Sequence, residues 1–465
     1  MSSAIKPLSS HGFRQIRRIV GRENCSREKE DRLCYAYDAT KQEYMPDAVV
    51  FPASTGEVAR ILSLATEQGF AVVPRGAGSG MSGGALAVAG GVVLVMTRFN
   101  RIIEIDTDNL IARAEPGVVT GTFQRAVAEK ALFYPPDPSS ADFSTLGGNV
   151  AECAGGPKAV KYGVTRDYIL GLKAVLPTGT VVDTGVKTAK GVVGYDLTRL
   201  LTGSEGTLGV ITEITLRLLP QPESTSTLIA LYDRMETAAK TVSEIIRKGI
   251  IPRTVEYMDK ASIGCVERYL QKGFGGGVEA LLLIEVDGSH AAVRHSVEAV
   301  RSLCTAMGAL QVEAARSPEE AAGLWQARKS ISPALYALAP DKINEDIVVP
   351  RSRIPDMVKK IRDLSERTGL IMVSFGHAGD GNIHFNIMLN KKDQEAVKKA
   401  GKALEEMFDY TLALGGTISG EHGIGISKAP YMAREVPAEV LALMCRIKQA
   451  FDPAGILNPG KMKLS

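Results

Sequence analysis

The sequence predicts an α+β protein of more than one domain, and three observations carry that prediction. At 465 residues the chain is longer than a single hydrophobic core serves. Apolar residues make up 45% and charged residues 23%, without a long charged block, which suits globular domains and excludes a disordered or coiled-coil chain. The pattern also changes at the proline-bearing PQPES (220–224): short β-branched runs broken by glycine precede it, and long amphipathic patterns alternating with strand runs follow.

Residues 1–41 read as a small helical lead-in with charge-rich spacing around GRENCSREKEDR. TGEVARILSLATEQG (55–69) predicts a helix that starts on Thr-Gly-Glu and stops at glycine. Strands are predicted at AVVP (71–74), VVLVM (92–96), IIEID (102–106), LIARAEPG (110–117), LKAVLPTG (172–179) and GVITEITLRLLP (209–220), which makes 42–221 a mixed α+β domain. METAAKTVSEIIRKG (235–249) and SHAAVRHSVEAVRSLCTAMG (289–308) predict helices, and EALLLIEVDG (279–288) a strand. Helices covering an antiparallel sheet follow for 222–455, with a last helix at 436–453 and a tail, 456–465.

The net charge of +3 is nearly balanced, and no basic tract carries interleaved aromatics, so nucleic acid is not an expected partner. Apolar runs such as GGVVLVM (90–96) are far shorter than the roughly 20 residues a spanning helix needs. The N-terminus has basic residues but no apolar core with a small-residue cleavage site, so it does not read as a secretory signal. Six scattered cysteines without a C-x-x-C pair argue against zinc-finger, iron–sulfur and haem attachment and for a reducing compartment, the cytoplasm.

PRGAGSGMSGG (74–84) contains G-x-G-x-x-G at Gly78, Gly80 and Gly83, which suggests a dinucleotide turn. That mechanism needs a following helix, yet ALAVAGGVVLVM is interrupted by Gly90 and Gly91 and ends as a strand, so an NAD-binding turn is excluded. A nest of backbone N–H groups that holds a diphosphate remains, beside a plain connector. Two more glycine runs favour the nest: STLGGNVAECAGGPKAVKYG (144–163), with Gly147, Gly148, Gly155 and Gly156, and GSEGTLGVIT (203–212). Three such loops in one domain point to a large, flat, phosphate-bearing cofactor.

SFGHAGDGNIHFNIM (374–388) sets His377 and His384 around a Gly-Asp-Gly-Asn turn, and GGTISGEHGIG (415–425) sets Glu421 beside His422, so half of the six histidines occupy two short loops. Taken alone, the first stretch is also what a tight hairpin would show.

These motifs, with PPDPSS (135–140) and FDPAGILNPGKM (451–462), occur in order from about residue 40 to the C-terminus. Together they resemble the FAD-linked oxidases of the vanillyl-alcohol-oxidase type, with a PCMH-type FAD-binding domain, and within them the D-2-hydroxyacid dehydrogenase group. The resemblance implies an FAD domain of two α+β subdomains at 42–221, a substrate cap at 222–455 and a tail returning to the flavin at 456–465. It places Arg75, Gly76, Gly78, Ser79 and Gly80 on the diphosphate. Pro136, Asp137, Thr145, Gly148, Asn149, Gly155, Tyr162, Glu205, Ile211 and Asn458 are implied along the flavin. No histidine lies between His11 and His290, so FAD is expected to be held noncovalently.

The glycines of the 377–384 turn let both imidazoles face one point, and Glu421 is a third ligand of a kind zinc accepts. In the family the corresponding residues bind zinc or manganese, and the histidine after the glutamate is the base, here His422. A cation holding the developing alkoxide and an imidazole taking the hydroxyl proton would both ease hydride transfer to flavin N5. Arg328, Ser332, Lys342 and Asn386 resemble the family's substrate contacts, although Arg328 and Lys342 also read as surface charges. D-lactate, glycolate and D-2-hydroxyglutarate are the implied substrates. With no centre of its own to pass electrons on, the chain should hand them to an iron–sulfur partner subunit, an electron-transferring flavoprotein, a quinone or a cytochrome. Self-association or a hetero-complex, and peripheral membrane attachment through a partner, are expected with it. Two other classes use the same residues: a flavin-free metallohydrolase and a non-catalytic flavin electron-transfer subunit.

Overall fold

The structure, a computed structural model, describes residues 5–271 and 273–464. It divides into two compact units: residues up to 155, 164–221 and 421 onward form the first, and 156–163 with 222–420 the second.

The first unit holds two main sheets. Strands β1 (Cys25–Ser26), β2 (Ala48–Val50), β3 (Val72–Arg75) and β4 (Val92–Val95) pair in the order β1-β2-β4-β3, with β2 and β3 parallel to β4. The antiparallel sheet β5-β6-β10-β8-β9 uses β5 (Ile102–Asp106), β6 (Ile111–Ala114), β8 (Ile169–Val175), β9 (Val181–Gly185) and β10 (Val210–Arg217), while β7 (Leu132–Phe133) pairs with β11 (Leu219–Pro220).

Of the helices α1 (Ser10–Val20), α2 (Lys29–Cys34), α3 (Thr55–Gln68), α4 (Thr120–Ala128) and α5 (Leu146–Glu152), α3 organises the core. Ser54 caps its start by accepting from Glu57 N, and Gly69 ends it at φ +77°. Its Val58, Ile61, Leu62 and Ala65 pack with Val50, Val72, Val92 and Leu94, and with Val175 and Val210 of the second sheet. Each such Val, Leu or Ile side chain contributes about 1.5–3 kcal/mol relative to exposure.

Two expectations about boundaries are corrected here. The lead-in 1–41 is not a separate piece: Ile16 and Val20 of α1 are buried in the same core. Residues 421–455, expected in the cap, also belong to this unit, and the tail beyond them lies along β3, with Val72 N donating to Ile456 O and Asn458 N to Val72 O.

Besides 222–420, the second unit takes 156–163. Within that stretch lies α6 (Ala159–Tyr162); Lys161 reaches the Asp287 carboxylate, which also accepts from Tyr162 Oη at 2.7 Å. A buried carboxylate needs such partners, and they come from 126 and 125 residues away in sequence.

The second unit is one antiparallel sheet, ordered β15-β12-β14-β13-β17-β18-β16. Its strands are β12 (Ser224–Tyr232), β13 (Thr254–Asp259), β14 (Ala280–Gly288), β15 (Gln311–Ala314), β16 (Asp341–Val348), β17 (Ile371–His377) and β18 (Asn382–Leu389). The first unit's short α7 (Leu197–Leu201) precedes α8 (Met235–Arg247), α9 (Lys260–Leu270), α10 (His290–Ala306), α11 (Pro318–Ala334), α12 (Ile354–Thr368) and α13 (Gln394–Ala413) in the second. The chain then returns to the first with α14 (Met432–Glu435) and α15 (Ala438–Phe451).

Side chains alternate across a sheet, so Met258, Phe375, Val373 and Met388 share a face with Glu256, His377, Asn386 and His384. The apolar half of that face is covered by Ile263 and Val266 of α9 and Ala327 and Ile331 of α11. Its polar half carries the histidines.

Candidate functional site

Two of the three clustered histidines meet on neighbouring strands of the second unit. His377 O closes the turn by accepting from Gly381 N at 3.0 Å. Gly381 has φ +90°, and a Cβ there would stand 2.0 Å from Val349 O, so the turn requires glycine. Phe375 pairs with His384 and His377 with Asn382, which puts the two imidazoles diagonally on one face with Nε2 atoms 3.3 Å apart. Both are buried.

The residue holding this pair was not singled out from sequence. Glu256 lies opposite His377 in the register, is fully buried, and sets Oε1 2.5 Å from His377 Nδ1. Arg328 of α11 brings Nη2 to 2.5 Å from Oε2, an ion pair that lacks hydrogen-bond alignment, and its guanidinium stands 4.7 Å over the Phe375 ring. Burial pushes the Glu256 carboxyl up, but the His377 ring and the Arg328 guanidinium beside it outweigh that and hold the group below its ordinary value. TVEYMD carried no signal for it: Glu256 alternates with the apolar Val255 and Tyr257 as an outward residue would, but both faces of this strand are buried.

Of the other expected substrate residues, Ser332 lies on α11, Lys342 on β16 and Asn386 on β18. Arg328 is buried, so it is not a surface charge. Ser332, one turn further along α11, accepts from Lys342 Nζ at 2.6 Å, and that ammonium sits 5.3 Å over the Tyr336 ring. Asn386 is fully buried, donating to His384 O at 3.3 Å and accepting from Asn344 at 3.2 Å. Asp346, paired with His384 in the register, accepts from Gly420 N at 2.8 Å. His377 and His384 thus offer two neighbouring nitrogens of the kind that ligate a metal ion, and Glu421, expected as the third ligand, follows Gly420 by one peptide bond.

In the first unit, Glu421 and His422 open a loop fastened by backbone groups. Glu205 accepts from Ile424 N and Gly425 N, both at 2.7 Å, and Ser82 O accepts from Ile426 N and Ser427 N at 2.8 and 3.1 Å. Gly425 has φ +50°, and a Cβ on it would stand 2.1 Å from Ser82 O. His422 Nε2 lies 3.7 Å from Glu421 Oε1. Glu205 is thus a strut for the loop carrying the expected base, with its carboxyl pulled up by burial against the pull of those two N–H groups.

The glycine loop 76–91 contains no helix, as expected. Gly76 faces Thr145 closely enough that a Cβ would stand 2.3 Å from Thr145 Oγ1, whereas a Cβ on Gly80 would find its nearest neighbour at 3.8 Å. Ser79 is half-buried. Thr145 caps α5 by accepting from Gly148 N at 3.2 Å, and buried Asn149 donates to Thr120 Oγ1 at 2.8 Å. Arg75 extends from β3 to Tyr37 O at 2.8 Å, and Gly78 packs against its guanidinium. Pro136 is buried with its carbonyl held by Gln124 at 2.8 Å, Asp137 is half-buried beside it, and Ile211 lies in β10. Gly155 leaves room for the Glu421 carboxylate, which a Cβ would meet at 2.9 Å. Tyr162 belongs to the second unit, on Asp287.

Residues 46–185 match an FAD binding domain, and residues 221–462 match the C-terminal domain of FAD linked oxidases. Glycolate oxidase subunit GlcD of Bacillus subtilis is 46% identical over 449 residues, 96% of each chain. D-lactate dehydrogenase of Anaerostipes hadrus is 36% identical over 90% of this chain and 89% of its own. The chain belongs to the FAD-linked oxidase family. Among solved structures, p-cresol methylhydroxylase with substrate bound matches this FAD-linked oxidase with a TM-score of 0.81 over 99% of this chain and 98% of its own, at 18% identity. 4-Ethylphenol oxidase from Gulosibacter chungangensis gives 0.77 over 99% of both, also at 18%. Those likenesses concern the fold, which is the expected α+β one.

The first unit fits the flavin cofactor of an FAD-linked oxidase. Ser82 Oγ and Asn458 Oδ1 are buried without a hydrogen-bond partner, and Asn458, at φ +44°, is locked beside the glycine loop by donating to Gly84 O and Glu205 O at 3.0 and 2.8 Å. Such orphans are what a hydrogen-bonding ligand satisfies. Lys461, which lies in FDPAGILNPGKM and drew no expectation from sequence, is buried with Nζ donating to Leu86 O at 2.7 Å. Burial pulls it down to about 8, against the opposing pull of Glu205, Asp38 and Glu152.

Proposed function

We propose that this FAD-linked oxidase of the glycolate oxidase and D-lactate dehydrogenase type oxidises a small D-2-hydroxy acid to the 2-oxo acid. The observation that carries the reading is the pair of buried imidazoles whose Nε2 atoms stand 3.3 Å apart on a strand face shared with Asn386. Two nitrogens on one tetrahedral ion, at bond lengths of about 2.0–2.1 Å, are separated by roughly 3.3–3.4 Å, so the pair fits zinc or a similar divalent ion, with Glu421 as third ligand.

Bound FAD supplies the hydride acceptor, and a bound divalent cation supplies charge for the alkoxide. Lys342 and Arg328 bring positive charge for the substrate carboxylate, Ser332 and Asn386 add polar contacts, and the neutral imidazole of His422 takes the hydroxyl proton. Since no histidine lies between His11 and His290, FAD is held noncovalently in this reading. Electrons leave for an external acceptor: an iron–sulfur subunit, an electron-transferring flavoprotein, a quinone or a cytochrome. The match to an FAD-binding family disfavours the metallohydrolase alternative.

Anaerobic mixing with D-lactate, glycolate, D-2-hydroxyglutarate and their L counterparts tests the proposal through bleaching of the flavin band. At least one D acid or glycolate is expected to bleach it within seconds; a flavin that no 2-hydroxy acid reduces would exclude the proposal.

A further inference from the structure

Glu256 touches both His377 and Arg328, yet it belongs to no motif of the chain. As a fully buried carboxylate in the interior strand β13, it is costly unless its neighbours use its charge. Its pairing with Arg328 is not arranged as an optimised structural salt bridge: Oε2 has no aligned donor, and Arg328 Nε has no acceptor. What the geometry does determine is the His377 ring. A carboxylate oxygen 2.5 Å from Nδ1 keeps the proton on Nδ1 and turns a bare Nε2 toward His384 Nε2, 3.3 Å away. Metal-binding histidines commonly donate their second N–H to such a carboxylate, which fixes tautomer and orientation. The other oxygen lies against Arg328, whose helix also carries Ser332 on Lys342.

We infer that Glu256 is a positioning residue with two outputs: it fixes the Nδ1–H tautomer of His377 for a divalent cation, and it holds Arg328 in place for the carboxylate of the substrate. This rests on the metal reading of His377 and His384. A carboxylate is an acceptor only, whereas the amide of Glu256→Gln presents either oxygen or NH2 to Nδ1 and so removes the selection without changing volume.

The test uses the FAD-loaded protein. Zn2+ and Mn2+ affinities are measured by chelator competition, the His377 tautomer by 15N-histidine NMR without added metal, and substrate KM and kcat by dye reduction. Glu256→Gln is expected to weaken both ions about 10- to 100-fold, the range seen for such orienting partners. It should also populate both tautomers and raise KM, with FAD content unchanged. Glu256→Asp, which keeps the charge but draws the oxygen back, should recover part of each, and it replaces the Gln variant if that one does not fold. Ion affinities within twofold of wild type together with a retained Nδ1–H tautomer would overturn the inference. If the wild-type protein binds neither ion, the metal reading alone falls. The tautomer measurement then decides Glu256, with its loss in the Gln variant supporting the role and its retention overturning it.

Discussion

Around the glycine loop of the first unit, most of the polar contacts come from the main chain: Ser82 O takes two N–H donors, Glu205 takes two more, and Asn458 donates to two carbonyls. On the polar half-face of the second unit they come from side chains, with Glu256, His377 and His384 joined in a row across adjacent strands. A site made of backbone depends on where Cβ atoms are absent. A site made of side chains depends on which atoms those side chains end in. The two units should therefore fail under different substitutions, and the failures should be separable.

The largest separation is expected at the histidines. His377→Ala and His384→Ala should leave one FAD per chain while turnover drops by roughly a thousandfold or more, corresponding to the several kcal/mol a cation contributes to alkoxide stabilisation. Stopped-flow flavin reduction with bound-metal analysis measures both. His422→Ala should keep metal and flavin and slow reduction by about 100-fold, the scale of a general base. Flavin loss from any of these three variants would break the comparison, since it would make the histidines part of the flavin cradle.

The reverse case lies at glycine. At Gly425 an added Cβ meets backbone, Ser82 O at 2.1 Å, and φ is +50°, so Gly425→Ala should destabilise the first unit by about 1–3 kcal/mol and lower the temperature at which flavin is released. A Cβ added to Gly401, inside α13 of the second unit, would meet nothing within 4 Å, and Gly401→Ala should raise stability by up to about 1 kcal/mol. Thermal unfolding followed by flavin fluorescence compares the two; equal effects would remove the distinction.

How much of this was legible depended on sequence distance. The helix at Thr55–Gln68, the strands around it and the hairpin of His377 and His384 rest on local patterns, and they appear where the patterns put them. Strand β6 stops at Ala114, short of the predicted run, because Pro116 and Gly117 turn the chain. What composition and spacing missed are partnerships spanning many residues. Tyr162 meets Asp287 125 residues on, and Glu256 meets His377 121 residues on. Nothing near Glu256 in TVEYMD names its partner, and its alternation with Val255 and Tyr257 reads as that of a solvent-facing residue.

The smallest expected effect concerns charge, and it sharpens the same contrast. The Glu256 carboxyl is held down by the His377 ring and Arg328 beside it, whereas Lys461 in the first unit is pulled down from 10.5 to about 8 by burial that Glu205, Asp38 and Glu152 only partly offset. For a base depressed in the folded state, the unfolded chain holds more protons between about pH 8 and the unfolded value of 10.5, so stability must rise with pH across that window and stay flat below it. The limiting slope is about 1.4 kcal/mol per pH unit, reached only near the middle of the window. Denaturant unfolding of the wild type and of Lys461→Met at pH 7, 8.5 and 9.5 isolates this contribution, because other titrations cancel in the difference. The wild type should gain on the variant by about 1 kcal/mol between the last two of those pH values. A difference that does not change with pH would mean that Lys461 is as well solvated folded as unfolded, and the contrast with Glu256 would fall.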